Sequence, residues 1–182
     1  MDPTVVKTII GQAFGVLAVI LGFVTYQLKT SKAVMLTQSA VSLAFIVHYA
    51  LIGAYSGCAL NAVCCVRNFI YSKRGVKALD HPVIPVIFAV IMAAMGAMSW
   101  QGWPSLFVIV GLVINSFGMR FRDPQNIRRS ILISSPLVIV YDSIFRSWGG
   151  IVYESVAIAS SAIGLIRYKK DANAGGKEAA GS

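Results

Sequence analysis

Charge is what this chain has least of. Asp, Glu, Lys and Arg make up 13% of its 182 residues, where a soluble domain devotes about a quarter to them. With 57% of the residues hydrophobic and a mean hydropathy of +0.72, a water-soluble fold would lack the polar surface to cover its apolar atoms. Histidine occurs only as His48 and His81, which excludes the His-rich ligand sets of catalytic zinc. The three cysteines, Cys58, Cys64 and Cys65, lack metal-site spacing and sit in or beside an apolar segment, so they are read as packing residues. A Gly-x-Ser-x-Gly elbow, paired catalytic aspartates and a phosphate-cradling glycine loop are all missing. No catalytic residue, cofactor or metal is expected, and the chain is not read as an enzyme.

What is present is a series of apolar runs, at about 8 to 27, 33 to 54, 57 to 72, 83 to 99, 104 to 119, 127 to 145 and 149 to 167. A helical span needs roughly 17 to 25 residues to cross about 30 Å of hydrocarbon, and a helix satisfies its own backbone there. The turns combine helix-stopping Gly and Pro with cations and interfacial aromatics, as in Lys29-Thr30-Ser31-Lys32, Trp100-Gln101-Gly102-Trp103-Pro104 and Trp148-Gly149-Gly150. The expectation is an all-α membrane protein of about seven short transmembrane helices. The first run has no small-residue cleavage site after it and is read as a mature helix.

The net charge of +9 is gathered in clusters between the runs, which fits membrane topology better than nucleic-acid binding. With seven spans and the N-terminus outside, every Lys and Arg except Lys7, Arg67 and Arg146 falls on the cytoplasmic side, the bias that fixes orientation. Six spans would place the basic clusters at 73 to 77 and 120 to 129 on opposite sides. The C-terminus is then cytoplasmic, and residues 171–182, rich in Ala and Gly, are expected to form a disordered tail.

Sliding the chain against itself until Gly57 meets Gly150 also pairs Lys29 with Arg122, Asn61 with Glu154 and Arg74 with Arg167, without a gap. Two three-helix units result, 1–75 and 101–170, joined by a linker helix within 76–100. An odd connector forces both units into one orientation, so they are expected to be parallel repeats in a 3+1+3 arrangement, with any substrate path between them.

The stretch from His48-Tyr49 through Leu51-Ile52-Gly53-Ala54-Tyr55, then Leu60-Asn61-Ala62 and Arg67, with Gly149-Gly150, Glu154 and Ile166-Arg167-Tyr168, resembles the YgjV family of small bacterial inner-membrane proteins over nearly the whole length. That resemblance implies the bacterial inner (plasma) membrane. More remotely, Ile10-Gly11, Tyr26-Gln27, Lys32, Ser39, Gly53 and Asn61 resemble the three-helix unit of the SWEET, SemiSWEET and PQ-loop transporters. This implies the 3+1+3 arrangement and carriage of sugars or other small solutes, with Asn61 at the position of an asparagine that faces the substrate. The proline before the PQ-loop glutamine and a tryptophan near the end of the second helix are absent, and Glu154 stands where the second unit would carry asparagine.

A charged side chain near the bilayer centre costs at least about 2.5 to 3.5 kcal/mol on insertion scales, so each one needs a reason. By helical rise, Arg67 lies roughly 15 Å deep, near the midplane. It is read either as an anion-binding or gating residue paired with Glu154 or Asp142, or as a structural ion pair or snorkelling side chain. Glu154 is either stabilised by the positive start of its helix or, as the equivalent of Asn61, a solute contact. Asp142 is read as a surface pair with Arg146 or a site residue, and His48 as a histidine bonded to a neighbouring helix or a proton acceptor. Asp142, Glu154, His48 and Asn61 all lie within about two turns of the outer boundary and are expected to share an outward vestibule.

Asn61 and Asn68 share a helix face, Asn61 read as a solute contact and Asn68 as interhelical glue. Gly11, Gly15, Gly22 and the Ser160-Ser161-Gly164 group are read as packing. Asn61, Arg67, Glu154, His48 and Asp142 are therefore the candidate substrate-binding residues of an expected small-solute permease. A receptor or accessory subunit is the alternative, and an intramembrane enzyme is less favoured. The expected partners are the lipid bilayer and an unidentified small solute, with no nucleic acid; a homo-oligomer is an open option.

Overall fold

The computed structural model describes residues 3–28, 30–73, 81–119 and 124–180. They form seven α-helices: α1 Pro3–Gln27, α2 Ser31–Ile52, α3 Tyr55–Ser72, α4 Val83–Met98, α5 Pro104–Gly118, α6 Pro124–Ile144 and α7 Trp148–Ala180. No strand occurs among the described residues.

Local chemistry sets these ends. Thr30 caps α2, its hydroxyl accepting from the Ala33 N–H at 3.3 Å. Gly53 ends α2 in the left-handed region at φ 79°, and its N–H donates to the Tyr49 carbonyl. Pro104 opens α5 and Pro124 opens α6, where a missing N–H costs nothing. The apolar runs match these helices to within a few residues, except at the end of α7. That helix continues to Ala180, through most of the segment expected to be disordered. Its alanines, with Lys177 and Glu178, are strong helix formers.

Among the described residues, three helices are long and apolar enough to cross a membrane: Thr4–Thr25, Lys32–Ile52 and Trp148–Tyr168. Val83–Met98 and Pro104–Gly118 are shorter apolar helices. The other two, α3 and α6, are diluted by polar side chains such as Asn61, Arg67, Asn68, Arg128 and Arg129. The outer surface is apolar, with Val16, Ile20, Phe23, Val90, Ile133 and Ile166 all more than half exposed. A soluble monomer does not leave so broad an apolar surface in water; hydrocarbon is the solvent that fits it.

Helix α1 packs on α2, α2 on α3, α5 on α6 and α6 on α7. The circuit closes because α7 returns onto α1 and α3 meets α5, while α4 packs against α3 and α5 from outside it. The return of α7 depends on a close approach: a β-carbon at Gly149 would lie 2.5 Å from the Gly15 Cα. Small residues here, at Gly11 and at Gly22, which receives the Tyr153 ring, act as packing surfaces.

Candidate functional site

The six helices of the circuit enclose a cavity of about 860 Å³. Its wall is built from matched positions on the two halves of the chain. Tyr49 and Asp142, which share a hydrogen bond, lie 93 residues apart. The same offset relates lining residues Val34 and Ile127, Ser42 and Ser135, Phe45 and Val138, Asn61 and Glu154, Cys64 and Ala157, and Asn68 and Ser161. On α3 and α7 these positions recur at helical spacing, which puts them on one face of each helix.

At the end of the bundle that carries the α2–α3 and α6–α7 turns, the cavity is sealed. The Tyr49 hydroxyl donates to Asp142 Oδ1 at 2.7 Å, and the Gly57 N–H donates to the Tyr141 hydroxyl at 2.8 Å. His48 bonds through Nδ1 to the Gly11 carbonyl at 2.7 Å and through Nε2 to the Ser147 hydroxyl at 2.8 Å. Phe45 stacks on Tyr49, and the Tyr49 and Tyr141 rings meet edge to face. His48, Tyr141, Asp142 and Ser147 are fully buried. From this seal the cavity runs to the opposite end of the bundle, where Thr25, Leu28, Thr30, Met119 and Ile127 line it.

Asn61, Arg67 and Glu154 all line the cavity. Asn61 donates through Nδ2 to the Gly57 carbonyl at 2.9 Å, and its oxygen has no partner among the described residues. Glu154 sits beyond the first turn of α7, where the helix dipole has largely faded, with Ser135 beside it on the cavity wall. Arg67 is 2% exposed. Its Nε and Nη2 donate to Asn68 Oδ1 at 3.2 and 3.0 Å, Nη2 also reaches Asn115 Oδ1 at 3.4 Å, and Nη1 has no partner.

The expected pairing of Arg67 with Glu154 or Asp142 does not form among the described residues. Two asparagine side-chain carbonyls close to Arg67 accept its hydrogen bonds instead. Nor does Asp142 pair with Arg146 at the surface. Asp142 is fully buried against Tyr49, whereas Arg146 is exposed in the α6–α7 turn at φ 52°, where its carbonyl accepts from Gln12 Nε2. His48 and Asp142 belong to the seal and do not line the cavity, so the four residues expected around one vestibule divide into two groups. Asn68 bonds its own neighbour, Arg67, rather than another helix. Ser160 and Ser161, read as packing, line the cavity.

Several lining residues carried no sequence argument: Ser42, Ser135, Gln38 and Asn115. The serines were within reach, since they are identical residues at the offset that pairs Gly57 with Gly150. Asn115, a lone amide in an apolar run, was a weaker signal. Gln38 is marked only by its tertiary partner, the Tyr153 hydroxyl, 3.2 Å from its Oε1.

The family model Imp-YgjV, described as a bacterial inner membrane protein, matches residues 9–172. The chain belongs to this family. No curated protein and no solved structure matches the chain. Membership of the Imp-YgjV family places the apolar belt of the bundle in the bacterial inner membrane.

Proposed function

We propose that this protein is a small-solute permease in which two parallel three-helix units rock about the central cavity. In this reading all seven helices cross the membrane, with the N-terminus outside and the C-terminus cytoplasmic. Units 1–75 and 101–170 face each other, and α4 links them. The observation that carries the reading is the cavity, whose wall takes repeat-equivalent side chains from both halves of the chain. The contacts among the six helices of the circuit support it as well: exchanging the halves turns the α3–α5 contact into the α7–α1 contact and leaves that set unchanged, with α4 packed on one side only. Asn61 and Glu154, equivalent in the two units, provide polar contacts for a solute.

The seal supplies the gate. Its bonds join the units, from Tyr49 to Asp142, Gly57 to Tyr141 and His48 to Ser147. Rocking breaks these bonds and makes contacts at the opposite end, so the solute meets one compartment at a time. Purified protein in sealed vesicles tests this by uptake across a solute panel. The expected result is accumulation of at least one solute, lost on Glu154→Gln or Asn61→Ala at unchanged protein content. Absence of transport for every solute, together with co-purification of one stoichiometric partner, would favour the receptor reading. Cysteine accessibility that places residues 76 and 126 on opposite sides would overturn the topology.

A further inference from the structure

We propose that the cavity takes its solute by a carboxylate group, held by Arg67 together with the side-chain amides of Asn68 and Asn115. The cavity's use in transport rests on the permease reading; the chemistry of the site rests on its donors.

Arginine only donates hydrogen bonds and stays charged in proteins. Here its Nε and Nη2 are committed to the oxygens of Asn68 and Asn115, which fixes the plane of the guanidinium and leaves Nη1 buried without a partner. An amide that turns its oxygen toward arginine turns its NH2 group away. Neither Asn68 nor Asn115 has a protein partner for Nδ2 among the described residues, and both line the cavity with Arg67. The uncommitted groups of this three-residue cluster are thus all donors, around one fixed positive charge; the free oxygen of Asn61 stands further along α3.

That arrangement selects among solutes. A sugar hydroxyl needs acceptors as well as donors, and a cation is repelled. A carboxylate brings acceptors only, one negative charge and a plane that suits the guanidinium. A phosphate dianion would be left half neutralised. Arg128, a further cation on the wall, gives its Nη1 to Gln125 Oε1 at 3.1 Å and the Gly164 carbonyl at 3.4 Å and takes no part in the Arg67, Asn68 and Asn115 cluster. Glu154, also on the wall, makes no ion pair with Arg67, whose Nη1 stays open. A volume of about 860 Å³ accommodates a small organic acid.

Matched solutes test the assignment on detergent-purified protein by thermal shift: gluconate against sorbitol, glutarate against 1,5-pentanediol, and inorganic phosphate, at constant sodium and ionic strength. The expected result is a rise in melting temperature with an acid and none with its neutral counterpart, since a ligand bound only by the folded state stabilises it. Arg67→Gln should weaken apparent affinity about tenfold or more and Asn115→Leu several-fold. If Arg67→Gln does not fold, Asn115→Leu decides, and unchanged acid affinity in it overturns the assignment. A shift with phosphate alone, or with none of the probes, overturns it too. Shifts with the neutral alcohols alone would defeat the carboxylate and leave the permease reading standing.

Discussion

The seal and the cavity are both built from buried polar side chains, and they differ in how far these are partnered, although Asp142 Oδ2 at the seal also lacks a partner. At the seal, Tyr49, His48, Tyr141 and Ser147 each have a partner on another helix. In the cavity, Arg67, Asn68 and Asn115 satisfy one another only in part and leave donors open. Partnered groups hold helices in place, and unpartnered ones in a cavity wait for something to bind. The same contrast separates cost from function. Losing one partner at the seal orphans the other, whereas removing a partly satisfied cation that has no counter-ion among the described residues relieves a desolvation penalty.

Substitutions can break this comparison. The largest expected effect is at the joint beneath the seal, where Gly149→Ala drives a β-carbon into the Gly15 backbone. A loss of about 2 to 3 kcal/mol is expected, read as a lower melting temperature in detergent; an unchanged value would mean that α1 and α7 are not in contact. Next comes Asp142→Ala, which strands the Tyr49 hydroxyl inside the bundle and should cost about 1 to 3 kcal/mol, with much of this recovered in Asp142→Asn. Tyr49→Phe removes the donor and keeps the ring stack, so about 1 kcal/mol is expected. Its sharper readout is uptake, which should change because a bond joining the two units is gone.

The smallest stability effect should come from Arg67→Leu, despite the burial of Arg67. Removing a partly satisfied cation for an apolar side chain is expected to leave stability within about 1 kcal/mol of the parent or raise it. Uptake should nonetheless be abolished. If Arg67→Leu melts as far below the parent as Asp142→Ala, Arg67 is a structural residue and the distinction between the two regions fails.

Much of the fold was legible in the sequence because a helix in lipid is a local object. Length, apolarity and the Gly, Pro and Thr signals at the ends place α2, α5 and α6 nearly as they stand. Depth was legible for the same reason, since a fixed rise per residue sets Arg67 well below Gly57. Rotation and partner choice were not. Asp142 and Arg146 stand one helical turn apart in sequence, yet one points into the bundle and the other lies in a turn outside it. His48, at a depth similar to that of Asn61, faces Gly11 and Ser147 instead of the cavity.

The chain's composition and hydropathy pattern alone determined a helical membrane protein, and sliding the chain against itself paired Asn61 with Glu154. Hydrophobicity and backbone hydrogen bonding leave a 182-residue apolar chain few other solutions. Only the tertiary structure decided which polar groups close one end of the bundle and which stay open within it. That choice depends on how each helix is turned toward its neighbours, and the packing of side chains from distant parts of the chain sets this rotation.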